Sequence, residues 1–411
     1  MLRKRLWICA IILLLTAATV AALNDKEQLG KNIFFDKKLS INENQACAAC
    51  HSPQVGFTGP DSIINILGSV YEGSIDGRFG NRKPPAAAYA GDSPVLNNST
   101  GLWIGGMFWD GRATGWTLGD PLAEQAKGPF LNPMEQGLPD SACVVYRVND
   151  SDYSNLYKQV WGNESSSVKW PEDIKKVCSK EHGQANLSSG DRNITDDAFN
   201  NIARSIAAYE RSTEVNPFTS KYDYYMKGNA TLTPKEMRGL ELFNNSTTAR
   251  CANCHVPPLF TDFSYHNLGI PKDPMNPFYY EYRWNGMGGG INWIDHGLGE
   301  FLNTTEYQNA AVNNYGMHKV PTLRNVDKRP HKSFIKAYGH NGYFKSLKEI
   351  VHFYNTRDVP GAGWKGKHWQ PAEVSANVNK DEMGNLSLTP QEESDIVAFL
   401  KTLSDGYIPK K

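Results

Sequence analysis

The chain has little sulfur, little imidazole and no excess of either charge. Its 411 residues include seven cysteines and ten histidines, and 43 basic side chains are matched by 43 acidic ones. A balanced total excludes the broad basic face that nucleic acid requires, while leaving room for a local patch that docks a partner protein. No histidine occurs between His51 and His182. Long apolar character is confined to the start. Met1-Leu2-Arg3-Lys4-Arg5 is basic, and an apolar run follows from Leu6 to about Leu23, with Val20-Ala21-Ala22 as a small-residue cleavage site. Residues 1–23 therefore read as an export signal, or as a membrane anchor if they are not removed. Either way the body of the protein is expected in the periplasm or another extracytoplasmic space.

The scarce cysteines are not scattered. Four of them fall in two pentapeptides, Cys47-Ala48-Ala49-Cys50-His51 and Cys251-Ala252-Asn253-Cys254-His255. Two thiols at this spacing reach the two vinyl groups of one haem, and the adjacent imidazole ligates its iron. A zinc clip would need further Cys or His ligands near each pentapeptide, and thioredoxin-like redox pairs rarely carry His after the second Cys. Two covalently bound haem c groups are the expectation, and such attachment is made outside the cytoplasm, in agreement with the export signal. Cys9 lies within the signal. The remaining Cys143 and Cys178 form an even pair in an oxidising compartment and are expected to be disulfide-bonded.

A weak internal repeat organises the rest. The stretch from Glu27 to Phe35 precedes the first clip, and the one from Lys235 to Phe243 precedes the second. Both read as amphipathic helices with a glycine on the packing face, where two backbones can come close. A helix from Asp196 to Arg211 closes the first half; one starting at Thr389, with Pro390 in its first turn, closes the second. Helix, clip, loops and closing helix is the order of a c-type cytochrome domain. The fold class expected is mainly α: two tandem cytochrome c domains, residues 24–222 and 223–411. Residues 52–140 and 256–340 lack periodicity but are rich in aromatics, which suits long ordered loops wrapped around haem.

With the clips placed, the sequence resembles the bacterial di-haem cytochrome c peroxidases and the related MauG-type enzymes. The resemblance spans nearly all of the exported chain. Its markers, in order, are Leu29-Gly30 with Phe34-Phe35-Asp36, the first clip, Phe108-Trp109-Asp110-Gly111-Arg112, Gln125-Ala126 with Gly128-Pro129, Asn132-Pro133-Met134-Glu135, the second clip, Val320-Pro321-Thr322-Leu323-Arg324-Asn325, and His340-Asn341-Gly342. It implies that His51 is the proximal ligand of a peroxide-reactive haem and His255 that of a second, electron-transfer haem. It also implies that Glu135 is the distal acid and base, Gln125 its distal partner, and Trp109 the tryptophan between the haems. The substrate implied is hydrogen peroxide, with electrons from a small c-type cytochrome or a copper protein.

Three departures from the family pattern carry information. Many of these peroxidases hold a second His on the N-terminal iron at rest, but Ser52 to Gly80 offers no imidazole here, so the His51 iron is expected to be open from the start. Where the peroxidases carry a ligating Met, this chain has Tyr354, as MauG-type enzymes do; a phenolate is a hard donor that stabilises oxidised iron. His352 and Met317 are the competing ligands. The calcium positions of the family read Gly80-Asn81-Arg82-Lys83 and Val326-Asp327-Lys328-Arg329. Lys is unfavourable beside a divalent cation, although Asn81 or Asp327 could substitute, so calcium stays an open question.

Cleaving a peroxide requires one proton to move between its oxygens so that water can leave, which a carboxylate of suitable pKa can do. On a tight loop after Asn132-Pro133, Glu135 is placed for such work. Arg82, Arg112 and Arg324 could pair with haem propionates or form structural salt bridges. Three functions follow: a peroxidase, a MauG-like enzyme that oxidises residues of a partner protein, and a plain di-haem electron carrier. Gln125 and Glu135 argue against the carrier, which needs no distal acid and base.

Overall fold

The computed structural model describes residues 22–280 and 290–409; the expected signal or anchor lies outside them except for Ala22 and Leu23. Among the described residues no helix is long and apolar enough to cross a membrane.

Among the described residues helices dominate, and a single two-stranded antiparallel sheet pairs Tyr265–His266 with His318–Lys319. Each half opens and closes with helices that cross at a glycine. The first entry helix, Asp25–Phe35, starts at a capping box between Asn24 and Glu27. It lies against the closing helix Ser189–Arg211, and a Cβ at Gly30 would sit 1.9 Å from the Ser205 carbonyl oxygen. The second entry helix, Pro234–Asn244, is capped by Thr233 and Glu236 and packs against Pro390–Lys401. There a Cβ at Gly239 would also sit 1.9 Å from a carbonyl oxygen, that of Asp395. The repeat legible in the sequence is thus a repeat of one helix crossing. The first closing helix begins earlier than expected, because Ser188 accepts a hydrogen bond from the Asp191 backbone N–H and caps it there.

The two largest apolar clusters separate cleanly along the chain. One draws its buried members from Leu29 to Val215, the other from Tyr222 to Leu403. Cys143 and Cys178 are joined in the first, as expected. A third cluster mixes the halves, with Leu96 and Trp103 against Tyr265, Leu298 and Leu302. Between Leu67 and Asp120 the chain has no helix, only isolated bridges such as Asn97 with Ile104. These loops carry Trp109 and reach across to the second half.

Candidate functional site

The two clips have the same local construction. Cys47–Cys50 is a single helical turn and Cys251–Asn253 a 3-10 turn; the N–H of His51 donates to the Cys47 carbonyl at 3.0 Å, that of His255 to Cys251 at 2.9 Å. Each imidazole is then fixed by a phenylalanine. His51 Nδ1 lies 3.1 Å from the Phe57 carbonyl oxygen, and His255 Nδ1 lies 3.0 Å from that of Phe260. An Nδ1–H donated to a carbonyl leaves Nε2 with a free lone pair, the tautomer needed for ligating iron. Both phenylalanines have φ of +58°, a left-handed conformation that a bulky side chain adopts only when its surroundings impose it. Their rings are held by the entry helices: Phe57 stands 6.2 Å from Phe34, and Phe260 stands 5.7 Å from Phe243. Burial lowers both imidazoles, His51 to about 4, which keeps that ring neutral and able to bind metal.

The four clip cysteines are unpaired, and burial pushes their thiols up, Cys50 and Cys251 to about 12. Unpaired, protonated thiols beside a neutral imidazole fit thioether attachment of haem. Neither pentapeptide acts as a whole zinc clip: among the described residues no metal-binding group of three forms at the first, and at the second Cys254 alone of the clip joins Asp262 and His266.

Over the second clip a mostly apolar cavity opens, lined by Cys251, Cys254, His255, Tyr354 and Met383. Tyr354 comes from the helix Leu347–Thr356, and burial, followed by the neighbouring Cys254 and Cys251 sulfurs, raises its hydroxyl pKa. The competing ligands fall away. His352 has both ring nitrogens engaged, Nδ1 with Glu393 and Nε2 with the Ala362 carbonyl, each at 2.8 Å. Met317 packs instead into the cluster around Leu298. Met383 went unnoticed in the sequence because it belongs to no motif.

At the first clip the carboxyl of Glu135 is close enough to raise the pKa of both Cys47 and Cys50. It sits on the tight loop anticipated, where Asn132 accepts from the N–H groups of Glu135 at 2.9 Å and Gly137 at 3.0 Å. Burial raises the Glu135 carboxyl, opposed by the Arg112 charge and a hydrogen bond to Asn132. Gln125 lies half-buried on the helix Pro121–Leu131 that leads into this loop, and its amide makes no hydrogen bond to the described chain.

Trp109 joins the two sites. Its indole N–H donates to the Lys83 carbonyl at 2.8 Å, and its own carbonyl accepts from the Lys319 N–H at 2.9 Å. Lys83-Pro84-Pro85 runs past His51, and Lys319-Val320-Pro321 runs past His255 in the same manner. This second repeat, Lys-x-Pro, is too short to stand out in the sequence.

Two of the arginines are committed elsewhere. Arg82 spans Asp110 at 2.5 Å and Asp295 at 2.6 Å, and Arg324 pairs with Asp223 amid the rings of Phe218 and Phe260. Both are structural. Arg112 pairs with Asp110 at 2.7 Å and stacks on Phe108 while remaining partly exposed.

The profile of the family described as di-haem cytochrome c peroxidase matches residues 24–231. The methylamine utilization protein MauG of Paracoccus denitrificans is 33% identical over 92% of this chain and 88% of its own length. This chain belongs to the di-haem cytochrome c peroxidase family. A cytochrome c551 peroxidase of Nitrosomonas europaea is 27% identical, covering 92% of this chain and 80% of that protein. Among solved structures, the diheme peroxidase BthA of Burkholderia thailandensis superposes with a TM-score of 0.71 at 28% identity, covering 95% of this chain and 88% of its own.

Of the two residues left as possible calcium ligands, one is already committed. Asp327 is taken by Arg329 at 2.6 Å, and the Lys83 ammonium is buried against the Pro84 carbonyl. Nearby, the buried Lys336 side-chain nitrogen donates to the carbonyls of Val55 and Asn325, each at 2.7 Å, and so ties the halves together, while burial lowers its pKa.

Proposed function

We propose that the chain is an extracytoplasmic di-haem peroxidase that reduces hydrogen peroxide to water, with electrons from a small c-type cytochrome or copper protein. Residues 24–222 would form the domain of the peroxide-reactive haem, held by Cys47, Cys50 and His51. Residues 223–411 would carry the electron-transfer haem on Cys251, Cys254 and His255, with Tyr354 as a further donor to its iron. Bound haem supplies the redox chemistry and the open coordination position for peroxide. The polypeptide supplies the protons and the geometry.

The reading rests above all on Glu135: a carboxyl of raised pKa beside the first clip, in a half with no imidazole between His51 and His182. Reduction of one peroxide to two waters consumes two electrons and two protons. Glu135 can take a proton from one oxygen and return it to the other, because burial brings its affinity closer to working pH. Trp109, hydrogen-bonded to the segments beside both histidines, offers an aromatic step between the two sites and fixes their separation.

The test is peroxide turnover by the Glu135→Gln variant with reduced cytochrome c. General acid–base catalysis contributes about 100-fold or more, so turnover should fall by at least that factor while haem content is unchanged. Unaltered turnover would remove Glu135 from the chemistry.

A MauG-like reaction, in which the oxidised enzyme acts on residues of a partner protein, is the second reading. It is favoured by Tyr354 in the second cavity and by the 33% identity to MauG. Peroxide added to ferric protein without donor discriminates: a long-lived altered spectrum supports this reading, rapid cycling only with donor supports the peroxidase.

A further inference from the structure

We propose that Trp116, Phe301 and Tyr307, flanked by Glu300 and Glu306, form the face on which a small c-type cytochrome with lysines around its exposed haem edge docks to deliver electrons. The peroxidase reading, on which this rests, requires a donor; the face says where it binds and what charge it carries.

Three rings meet at the surface, drawn from both halves of the chain. Trp116 stands 5.6 Å from Tyr307 and 6.3 Å from Phe301, and Tyr307 stands 5.0 Å from the buried Trp103. Trp116 and Tyr307 are 44% and 40% exposed, although aromatics of this size bury most of their surface in a folded chain. Their exposure does not come from a loose attachment. The Trp116 indole N–H donates to the Leu96 carbonyl at 2.9 Å, and the Glu124 carboxylate accepts from the N–H groups of Gly115, Thr117 and Leu118 around it. Rigid, half-exposed aromatic rings are what protein interfaces use at their centre.

Charge selects the partner. Roughly one residue in ten of the whole chain is basic, yet neither Lys nor Arg occurs from Ala113 to Ala126 or from Gly290 to His318. Arg112, at the border, is held by Asp110. Glu300 next to Phe301 and Glu306 next to Tyr307 are both exposed. An apolar centre edged by carboxylates alone steers a basic partner toward it and disfavours an acidic one. A ring of lysines around an apolar haem edge is the complement.

The face also leads inward. Trp103 shares a cluster with Tyr265. The Tyr265 hydroxyl and Lys319 Nζ both donate to the Gly105 carbonyl, at 2.6 and 2.8 Å, and the Lys319 N–H donates to the Trp109 carbonyl. Aromatic rings thus run from the surface to the segment that holds Trp109. Each docking would pass one electron and leave the donor haem ferric. Two such electrons and two protons reduce one peroxide to two waters.

The test is binding, measured without peroxide. Haem-loaded protein titrated with a lysine-ringed ferric cytochrome c should bind one equivalent, more weakly as salt rises from about 20 mM to about 200 mM. Glu300→Lys combined with Glu306→Lys should weaken binding by about tenfold, and a reversal of equal size at Glu172 and Asp173 in the first half should leave it within about twofold. Independently, Trp116→Ala should weaken binding while two haems per chain are retained. Salt-insensitive binding, or equal losses in the two charge reversals, would overturn the proposal. So would self-association of the chain that Trp116→Ala abolishes, since a second copy would then own the face. Peroxide turnover whose KM for the cytochrome ignores the Glu300 and Glu306 reversal would remove this face and keep the peroxidase. Binding at this face without turnover would keep the face and remove the peroxidase.

Discussion

Glu210 and Tyr354 show how burial sets the chemistry of single side chains. Glu210 is buried on the first closing helix, with one carboxyl oxygen unpartnered, and burial pushes its pKa up to about 8. A carboxyl raised in the folded state favours folding below its unfolded pKa, and that contribution is lost as pH rises through the folded value. Stability should therefore decline between about pH 4.5 and pH 8 by as much as about 1.4 kcal/mol per unit. The Glu210→Gln variant should flatten that slope, as thermal midpoints at pH 5 and pH 8 will show. An unchanged slope would mean that other groups carry it. For Tyr354 the expectation is electronic: replacing an anionic oxygen donor by a thioether favours reduced iron. Tyr354→Met should raise the potential of the second haem in a spectroelectrochemical titration, whereas an unmoved potential would hand the ligand role to another side chain, with Met383 next in line.

At the scale of elements, what could be read in advance was whatever had a local cause. The glycines of the entry helices, the start of the last helix at Thr389 with Pro390, and the Glu135 loop were all legible, because spacing and turn chemistry determine them. The left-handed Phe57 and Phe260 were not, since nothing in either residue predicts a positive φ or the contact of its ring with Phe34 or Phe243 of the entry helix. The partners of Arg82 and Arg324 were hidden for a similar reason, as Asp295 and Asp223 lie far away in sequence. The helix crossings give the sharpest element-level test. A methyl group at Gly30 or Gly239 would meet backbone oxygen at 1.9 Å, so the helices must part. Each Gly→Ala change should cost about 1–3 kcal/mol or more, read as a lowered thermal midpoint. A midpoint within a degree of wild type would show that the crossing yields easily.

For the molecule as a whole, the halves are held in register by groups that belong to neither alone. Trp109 ties Lys83 to Lys319, Lys336 ties Val55 to Asn325, and Tyr89 donates to Asp405 at 2.8 Å. The pairing of each clip with an entry helix and a closing helix was legible from the repeat; this stitching was not, because it depends on loops whose course no periodicity records. The asymmetry that matters lies in ligand supply. The second cavity is furnished with Tyr354, whereas the first half has a raised carboxyl and no imidazole between His51 and His182. Electron paramagnetic resonance of the ferric protein as purified tests this most directly. The account predicts high-spin and low-spin haem in equal amounts without prior reduction; two low-spin signals, with no high-spin component, would contradict it.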